Sequence, residues 1–270
     1  MKLKSIVTLI LSLLCFFIGR SPVFSQSLEE YSKEYLIRNN DSLPYRLLLP
    51  KNYNKDETYP LILFLHGSGE RGNDNELQLK HGASFFVNDS IRDNYPAIVV
   101  FPQCKEGKSW DNVKSVPQGS SEQLIFPTKH EDNVQLDLVE DLIKFLQKNY
   151  AIDKSQLFVG GLSMGGMGTF ELVSRNPRQY AAAFAICGGA HPNMARRLKR
   201  TSWWIFHGDA DAVIPAESSI KIYDALKSKN SDVKLTIYKG VGHDSWTNAF
   251  QEPGLMNWLF SRSKRLKRKK

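Results

Sequence analysis

Short, continuous apolar runs alternate with longer amphipathic stretches along most of the chain. The run Pro60–Leu65 is apolar at every position, which is typical of strands buried on both faces of a parallel sheet. Between two such runs, apolar residues recur every three or four positions and predict a helix over Asp132–Asn149. This alternation predicts an α/β fold with one mostly parallel, twisted sheet and helices on both faces. The other predicted elements are strands at Leu43–Leu49, Ala97–Phe101, Gln156–Val159, Ala181–Ile186, Ser202–Phe206 and Lys234–Tyr238, helices at Thr169–Ser174, Pro215–Lys229 and Pro253–Phe260, and a basic loop or helix at Asn193–Lys199.

The domain organisation follows from what lies between these elements. No linker, internal repeat or low-complexity segment interrupts residues 30–260, so we expect a single domain over residues 26–260. The chain has 270 residues and is 41% hydrophobic and 24% charged, which excludes a mostly disordered, collagen-like or coiled-coil protein. Such a chain buries roughly three quarters of its unfolded surface, so it needs no disulfide or metal to hold a core.

The N-terminal 25 residues have the pattern of a secretory signal peptide. Two lysines precede an apolar run at 6–18, and Val23 and Ser25 are small enough for the −3 and −1 positions of a cleavage site. Cleavage there would make Gln26 the first residue and export the protein to the periplasm or out of the cell. The alternatives are an uncleaved anchor and a lipid-modified Cys15.

The net charge of +8 is concentrated at the two ends of the chain. Residues 1–25 carry +3 and Ser261–Lys270 carry +7, so residues 26–260 are close to neutral. A general basic face for nucleic acid is therefore not supported. We expect the basic tail at 261–270 to be disordered, with a weak contact to an anionic surface such as a polysaccharide or membrane as one role and a solubilising end as the other.

A candidate nucleophile stands in the pattern G-x-S-x-G at residues 161–165, with Ser163 at its centre. The pattern follows an apolar strand and opens a helical stretch, which is the setting of a serine on a tight, strained turn. A Cβ two residues before or after the serine would collide as the strand folds back into the helix. The alternative is a glycine-rich turn with an idle serine.

A serine hydroxyl needs a base, and the base needs a carboxylate that orients it. His243 follows the last predicted strand on a loop of small residues, so it can reach over the sheet edge. His66 and His207 each end an apolar strand just before a glycine and are interpreted as loop braces. For the carboxylate, Asp211 is favoured and Asp209 is the alternative; both follow the strand that ends near Phe206.

The expected site also needs donors for an oxyanion. One is the backbone N–H of Met164, directly after the nucleophile. The other comes from the loop after Pro60–Leu65, where we expect the N–H of Ser68, with Gly69 second.

Together these motifs resemble the secreted esterases and peptidases of the prolyl-oligopeptidase-like and dienelactone-hydrolase-like branch of the α/β-hydrolases. The resemblance covers roughly residues 45–260. It rests on five segments: HGSGERG at 66–72, PQC at 102–104 with Trp110 downstream, GLSMGG at 161–166, HGxxDxxxP at 207–215 and GH at 242–243.

The resemblance implies several structural properties. Two strands would separate the strands that end at Cys104 and Cys187, which is about 14 Å and too far for a disulfide, so two free thiols are expected. The chain departs from better-known relatives in two ways. Only about 20 residues separate the predicted cleavage site from the first predicted strand, so we expect no N-terminal propeller. Only about 15 residues follow Ala181–Ile186 before the next strand, so no large lid is expected and the site should be open.

The predicted function is hydrolysis of carboxylic esters through an acyl-enzyme, on small-molecule esters or the chain ends of polymers such as acyl sugars. Trp110 is a candidate for lining the substrate pocket, with a packing aromatic as the alternative. No metal or organic cofactor is required, and no HExxH, EF-hand or dinucleotide loop is present. A serine peptidase is the alternative enzyme, and a non-catalytic binding protein on a hydrolase scaffold is the alternative from another class.

Overall fold

The structure is a computed structural model, and it describes residues 28–38, 41–119, 121–229 and 231–264. The predicted signal peptide at 1–25, Cys15 and most of the basic tail lie outside the described residues. The strands are β1 (Ser32–Arg38), β2 (Asp41–Leu48), β3 (Tyr59–Leu65), β4 (Ile98–Pro102), β5 (Lys114–Gln118), β6 (Ser121–Ile125), β7 (Ile152–Leu162), β8 (Ala182–Ile186), β9 (Ser202–Gly208) and β10 (Val233–Tyr238).

Eight of the described strands form one sheet in the order β1-β2-β4-β3-β7-β8-β9-β10. Strand β2 pairs antiparallel with both of its neighbours, and the strands from β4 to β10 across the sheet are parallel. The remaining two, β5 and β6, form a separate antiparallel hairpin. The mostly parallel sheet agrees with the prediction, and it gathers the loops that follow β3, β7, β8, β9 and β10 at one edge.

Most of the helices lie in the connections between parallel strands, and the last two follow β10. The helices are α1 (Ala83–Val87), α2 (Asp89–Asn94), α3 (Val134–Asn149), α4 (Met164–Arg175), α5 (Ala195–Leu198), α6 (Glu217–Lys227), α7 (Trp246–Ala249) and α8 (Leu255–Phe260). Asn133 caps α3, because its side chain accepts from the amides of Gln135 and Leu136. In the described residues no helix is both long and apolar enough to cross a membrane.

Two hydrophobic clusters cover the two faces of the sheet. Alternate residues of β3 divide between them: Leu61 and Leu63 join the cluster under α3, α4 and α6, whereas Ile62 and Phe64 join the one under α1 and α8. All four side chains are at most 1% exposed. The continuous apolar run at 60–65 therefore reflects burial on both faces, as the sequence predicts.

Some elements lacked a clear pattern in the sequence. Strand β1 lies at the edge of the sheet and is mostly exposed, and the hairpin β5–β6 is largely polar. Helices α1 and α2 are only five and six residues long. In all of these the periodic apolar signal that marks a buried face is weak or absent.

Two further expectations meet the structure here. Cys104 and Cys187 are free thiols, and β3 and β7 lie between the strands that precede them, as expected. The basic stretch after α8 is held in place as far as it is described. Arg262 forms an ion pair with Asp232 at 3.2 Å, and the Lys264 amide donates to the Ser155 carbonyl at 2.9 Å.

Candidate active site

Ser163 lies in a tight turn between β7 and α4. Its backbone has φ 53° and ψ −118°, a conformation that costs a residue with a side chain on the order of 1–3 kcal/mol. A Cβ on Gly161 would lie 2.3 Å from the Gly165 carbonyl oxygen, and a Cβ on Gly165 would lie 2.0 Å from that of Leu65. The steric reason predicted for the two glycines is confirmed, because neither position has room for a side chain.

Asp211, in the loop after β9, is buried and accepts four hydrogen bonds. Its Oδ1 accepts from the amides of Val213 and Ile214 at 2.8 and 2.9 Å. Its Oδ2 lies 2.8 Å from His243 Nδ1 and 3.1 Å from His207 Nε2. Burial alone would raise the pKa of Asp211, but these hydrogen bonds outweigh it and hold the pKa well below its usual range. The side chain is therefore an ionised carboxylate at neutral pH.

The loop after β10 places His243 between Asp211 and Ser163. The distance from His243 Nε2 to Ser163 Oγ is 2.9 Å. Because an ionised carboxylate can only accept, Nδ1 carries the proton and donates to Asp211. Nε2 is then left as an acceptor that faces the hydroxyl. Three side chains from distant parts of the chain thus lie in one hydrogen-bonded row.

Asp209, the alternative carboxylate, has a different role. It is exposed, and its Oδ1 accepts from the Gly240 amide at 2.6 Å. This bond joins the loop after β9 to the loop after β10, so Asp209 is a loop brace and Asp211 is the residue in contact with His243.

His66, at the end of β3, also braces loops. Its Nδ1 lies 2.6 Å from the Gly67 carbonyl oxygen, and its Nε2 accepts from the Cys104 amide at 2.9 Å. Burial lowers the pKa of His66 to about 4, so the ring is neutral at pH 7 and Nδ1 is the donor. The brace holds the loop that carries Ser68 next to the nucleophile turn, since a Cβ on Gly67 would lie 3.8 Å from Ser163 Cβ.

The two expected oxyanion donors occupy helix N-termini. Met164 is the first residue of α4, and Ser68 is the first residue of the short 3-10 helix Ser68–Glu70. The first amides of a helix have no acceptor within the helix. Both donors are therefore of the kind that can bind an external oxygen, and both belong to segments that adjoin Ser163.

Trp110 does not have the exposure that a pocket residue needs. Its side chain is fully buried, and its ring packs edge-on against His66 at 5.3 Å. A Cβ on Gly168 of α4 would lie 2.4 Å from Trp110 Cβ. A substrate has no surface of this ring to contact, so the pocket assignment of Trp110 is corrected to its alternative, a packing aromatic.

Trp246 is an aromatic residue next to His243 that no sequence motif indicated. Its half-buried ring stands edge-on to His243 at 5.6 Å and lies 5.0 Å from the ring of His81. His81 in turn lies 3.6 Å from the buried carboxylate of Glu70, in the loop after β3. Nothing in the sequence predicted this contact beyond the separation of three residues between His243 and Trp246.

His207 supports Asp211 more directly than a loop brace would. The ring is fully buried, with Nδ1 2.7 Å from Ser219 Oγ and Nε2 2.8 Å from the Ile214 carbonyl oxygen. Ser219 donates in turn to the Gly188 carbonyl at 2.8 Å. This network fixes the ring that contacts Asp211. The signal was present as the spacing H-G-x-x-D, but the contact depends on how the loop folds back.

Neither the thiols nor a metal cluster offers a second reactive centre among the described residues. Burial raises the pKa of Cys104 to about 12 and also raises the pKa of Cys187, so both stay protonated at neutral pH. No group of three or more His, Cys, Asp or Glu side chains in the described ranges is arranged to hold a metal ion.

Residues 52–253 match the phospholipase/carboxylesterase family. The chain belongs to this family. It has the α/β-hydrolase fold, as the resemblance of its motifs implied.

Individual relatives agree with this assignment. The chain is 24% identical over 202 residues to a protein named "Probable feruloyl esterase C" from Aspergillus oryzae, which covers 74% of this chain and 67% of that protein. A thermostable esterase of known crystal structure is 31% identical with a TM-score of 0.79, over 88% of this chain and 64% of that one. The chain therefore spans just under two thirds of that esterase's length.

A peptidase shares the fold as well. The structure of an acylaminoacyl peptidase from Pyrococcus horikoshii has a TM-score of 0.60 and 15% identity, over 92% of this chain and 44% of that one. At this identity the likeness extends to the fold alone.

Proposed function

We propose that this chain cleaves carboxylic esters by two-step acyl transfer, with Ser163 as nucleophile, His243 as general base and Asp211 as the carboxylate that orients His243. The observation that carries the proposal is the row of side chains in which His243 lies 2.8 Å from Asp211 and 2.9 Å from Ser163. Such a row is what activation of a serine hydroxyl requires.

In the first step Ser163 Oγ attacks the ester carbonyl carbon and His243 Nε2 takes the hydroxyl proton. The negative charge that develops on the carbonyl oxygen is held by the backbone N–H groups of Met164 and Ser68. Asp211 stabilises the imidazolium without taking its proton. The intermediate then collapses as His243 gives the proton to the departing alcohol, which leaves the acyl group on Ser163.

In the second step water takes the place of the alcohol. His243 removes a proton from the water as it attacks the acyl carbonyl carbon, and the proton then returns to Ser163 as the acid leaves. Each group acts twice, in opposite directions, so the site is restored after every turnover.

The substrates we propose are exposed esters, such as acylated sugars, polymer chain ends or short-chain esters. The segment between β8 and β9 contains only the 3-10 turn Pro192–Met194 and the four-residue helix α5, which supports an uncapped site. The similarity to a protein named as a feruloyl esterase favours aromatic acyl groups. Trp246 supplies an aromatic surface beside His243 against which such a ring can pack.

The decisive variant is Ser163→Ala. We expect its turnover of p-nitrophenyl acetate to fall by about 10⁶-fold, as loss of a triad serine does in other enzymes. A fluorophosphonate probe should label the wild type and leave the variant unlabelled. Near-wild-type hydrolysis by the variant would falsify the mechanism.

Ser68→Ala is the matched control, because it removes a hydroxyl while keeping the backbone N–H to which we assign oxyanion binding. It should retain most of the activity. A loss as large as that of Ser163→Ala would show that the Ser68 side chain, not its amide, takes part.

A substrate panel separates the enzyme classes. Feruloyl and acetyl sugar esters, p-nitrophenyl acetate and aminoacyl anilides should be tested in parallel. Ester turnover well above anilide turnover agrees with the proposal, and the reverse order would make the chain a peptidase. A sharp rise of the rate at lipid micelles would contradict the uncapped site.

We further propose export by cleavage of residues 1–25, for which the sequence of the segment is the support. N-terminal sequencing of the secreted or periplasmic protein should begin at Gln26. A protein that keeps its first residues would contradict the proposal.

A further inference from the structure

A group of arginines lines an open depression of about 900 Å³ at the sheet edge opposite to Ser163. Its residues come from two segments: 176–179, which joins α4 to β8, and 196–200, which comprises the last three residues of α5 and the start of the connection to β9. Both segments lead into the N-terminal ends of their strands. Ser163 and Asp211 instead follow the C-terminal ends of β7 and β9, so the sheet separates the two regions by at least the length of a strand.

Most of the positive charges in the two segments are exposed and form no ion pair with a described residue. Arg178, Arg196, Lys199 and Arg200 are exposed, and none forms an ion pair with another described residue. Arg197 differs, because its guanidinium donates to the last carbonyls of α4. Four cations with no ion-pair partner among the described residues thus lie within two short segments, which is the arrangement of a surface that attracts anions.

The C-terminal tail leaves the fold at the same place. The Lys264 amide donates to the Ser155 carbonyl, and its ammonium group donates to the carbonyl of Gln179, a residue that lines the depression. Six residues follow Lys264, and five of them are Lys or Arg. The described start of the tail therefore lies at the depression, and the sequence continues from there with five more basic residues.

We propose that this basic edge (Arg178, Arg196, Lys199, Arg200 and the described start of the tail, Arg262 and Lys264) binds the surface of an anionic lipid bilayer and holds the enzyme with Ser163 facing away from the membrane. Basic side chains near an anionic leaflet bind mainly by charge and add up roughly in number. Leu266 is the sole apolar residue of the tail, so its composition suits binding at the surface rather than insertion.

The position of the basic edge favours a bilayer over an acidic polysaccharide. A polymer that carries the ester substrate would be brought to the enzyme most usefully on the side of Ser163. The basic edge lies at the N-terminal ends of the strands, whereas Ser163 lies at their C-terminal ends. A bilayer bound there leaves the candidate active site open to soluble esters.

The test is co-sedimentation of the full chain with vesicles of phosphatidylcholine alone and of phosphatidylcholine with phosphatidylglycerol. The neutral vesicles report any binding by the apolar run at 6–18, and the difference between the two reports the charge. Binding to the anionic vesicles should exceed binding to the neutral ones and should fall at high salt.

The variant is the triple charge reversal Arg178→Glu, Arg196→Glu, Arg200→Glu. Its matched control is Lys108→Glu, Lys114→Glu, Lys221→Glu, which changes three exposed residues elsewhere and gives the same net charge. The first should lose at least about 100-fold in partition to anionic vesicles, from three charges each worth about a factor of five. The control should lose much less. Circular dichroism verifies that both are folded.

Three outcomes would overturn the proposal. The two triple variants could lose equal amounts, which would reduce the effect to net charge. The wild type could bind polygalacturonate but not anionic vesicles, which would make the partner a polysaccharide. Vesicle-bound enzyme could lose its activity on soluble p-nitrophenyl acetate, which would contradict the outward orientation.

Discussion

The two edges of the central sheet at which the parallel strands begin and end carry different kinds of charged group. At the C-terminal edge, Asp211 is 8% exposed and accepts four directed hydrogen bonds. At the N-terminal edge, Arg178 and its neighbours are exposed, with no ion pair among the described residues. A buried charge is stable only when hydrogen bonds or a counter-charge compensate for its lost hydration. Exposed charges are screened one by one, so their effect depends on how many lie together. Single substitutions should therefore be severe at the first edge and mild at the second.

After Ser163→Ala, the largest effect is expected for Asp211→Asn. The side-chain amide of the variant can donate to His243 Nδ1, which favours the tautomer with its proton on Nε2. A protonated Nε2 cannot accept the proton of the Ser163 hydroxyl. Turnover should fall by about 10⁴-fold, the loss that the same change causes in a serine protease. Steady-state kinetics on p-nitrophenyl acetate measures it.

Asp209→Asn is the matched control, since Asp209 contacts Gly240 and not His243. Its turnover should stay within about tenfold of the wild type. Equal losses in the two variants would mean that the choice between the two carboxylates is wrong.

The next effect is on stability, through His66. Its pKa is lowered from 6.5 to about 4 in the folded protein, so between these values the unfolded chain takes up a proton that the folded chain does not. The neutral His66 ring contributes fully to the free energy of unfolding above pH 6.5. This contribution is lost as the pH falls toward 4. The free energy of unfolding should drop by about 3 kcal/mol over this window.

Urea unfolding of the wild type and His66→Gln at several pH values isolates the pH-dependent contribution of His66 to the free energy of unfolding. The buried carboxyls Asp111 and Glu171, whose pKa values are raised by burial, act in the opposite direction and are common to both proteins. The pH dependence should be flatter in the variant. An identical slope would show that His66 is not the group responsible.

A smaller effect on turnover is expected for His207→Gln. The ring touches Asp211 but lies away from the serine, so its loss should loosen the carboxylate and lower kcat by roughly 10–100-fold. The KM should change little, because His207 is a positioning residue that does not touch the substrate. A lower melting temperature with unchanged kcat would reduce His207 to a structural role.

The smallest effect is expected at the basic edge. Each of Arg178→Glu, Arg196→Glu and Arg200→Glu should change the free energy of unfolding by less than about 0.5 kcal/mol and leave kcat unchanged. Urea unfolding and ester kinetics measure both quantities. A large loss of stability would mean that these arginines hold the fold together, and the contrast between the two edges would disappear.

Most of the fold could be predicted where burial imposes a period on the sequence. The ends of the strand at 60–65 and the helix at 132–149 were predicted within one or two residues. The strand is apolar at every position, and the helix has one continuous apolar face. Strand β1 and the hairpin β5–β6 were missed, since exposed elements leave few apolar positions. The helix at 215–229 was predicted longer than α6, because proline marks the turn before a helix as readily as its first residue.

The candidate site divides in the same way. Ser163 and its glycines could be predicted because the crowding of a strand–turn–helix turn is local and excludes side chains. Trp110 could not, because whether an aromatic ring faces a substrate or the core depends on elements far away in the chain. Trp246 and the contact of His207 with Asp211 depend in the same way on how loops fold over the sheet.

The sequence by itself determined the α/β alternation, the strained serine and the order of serine, aspartate and histidine, because apolar periodicity and steric crowding act between neighbouring residues. Only the tertiary structure decided which carboxylate meets His243 and which arginines gather at the opposite edge. Hydrogen bonds and surface charge depend on distances between segments, and those distances are set when the strands pair and the helices pack on them.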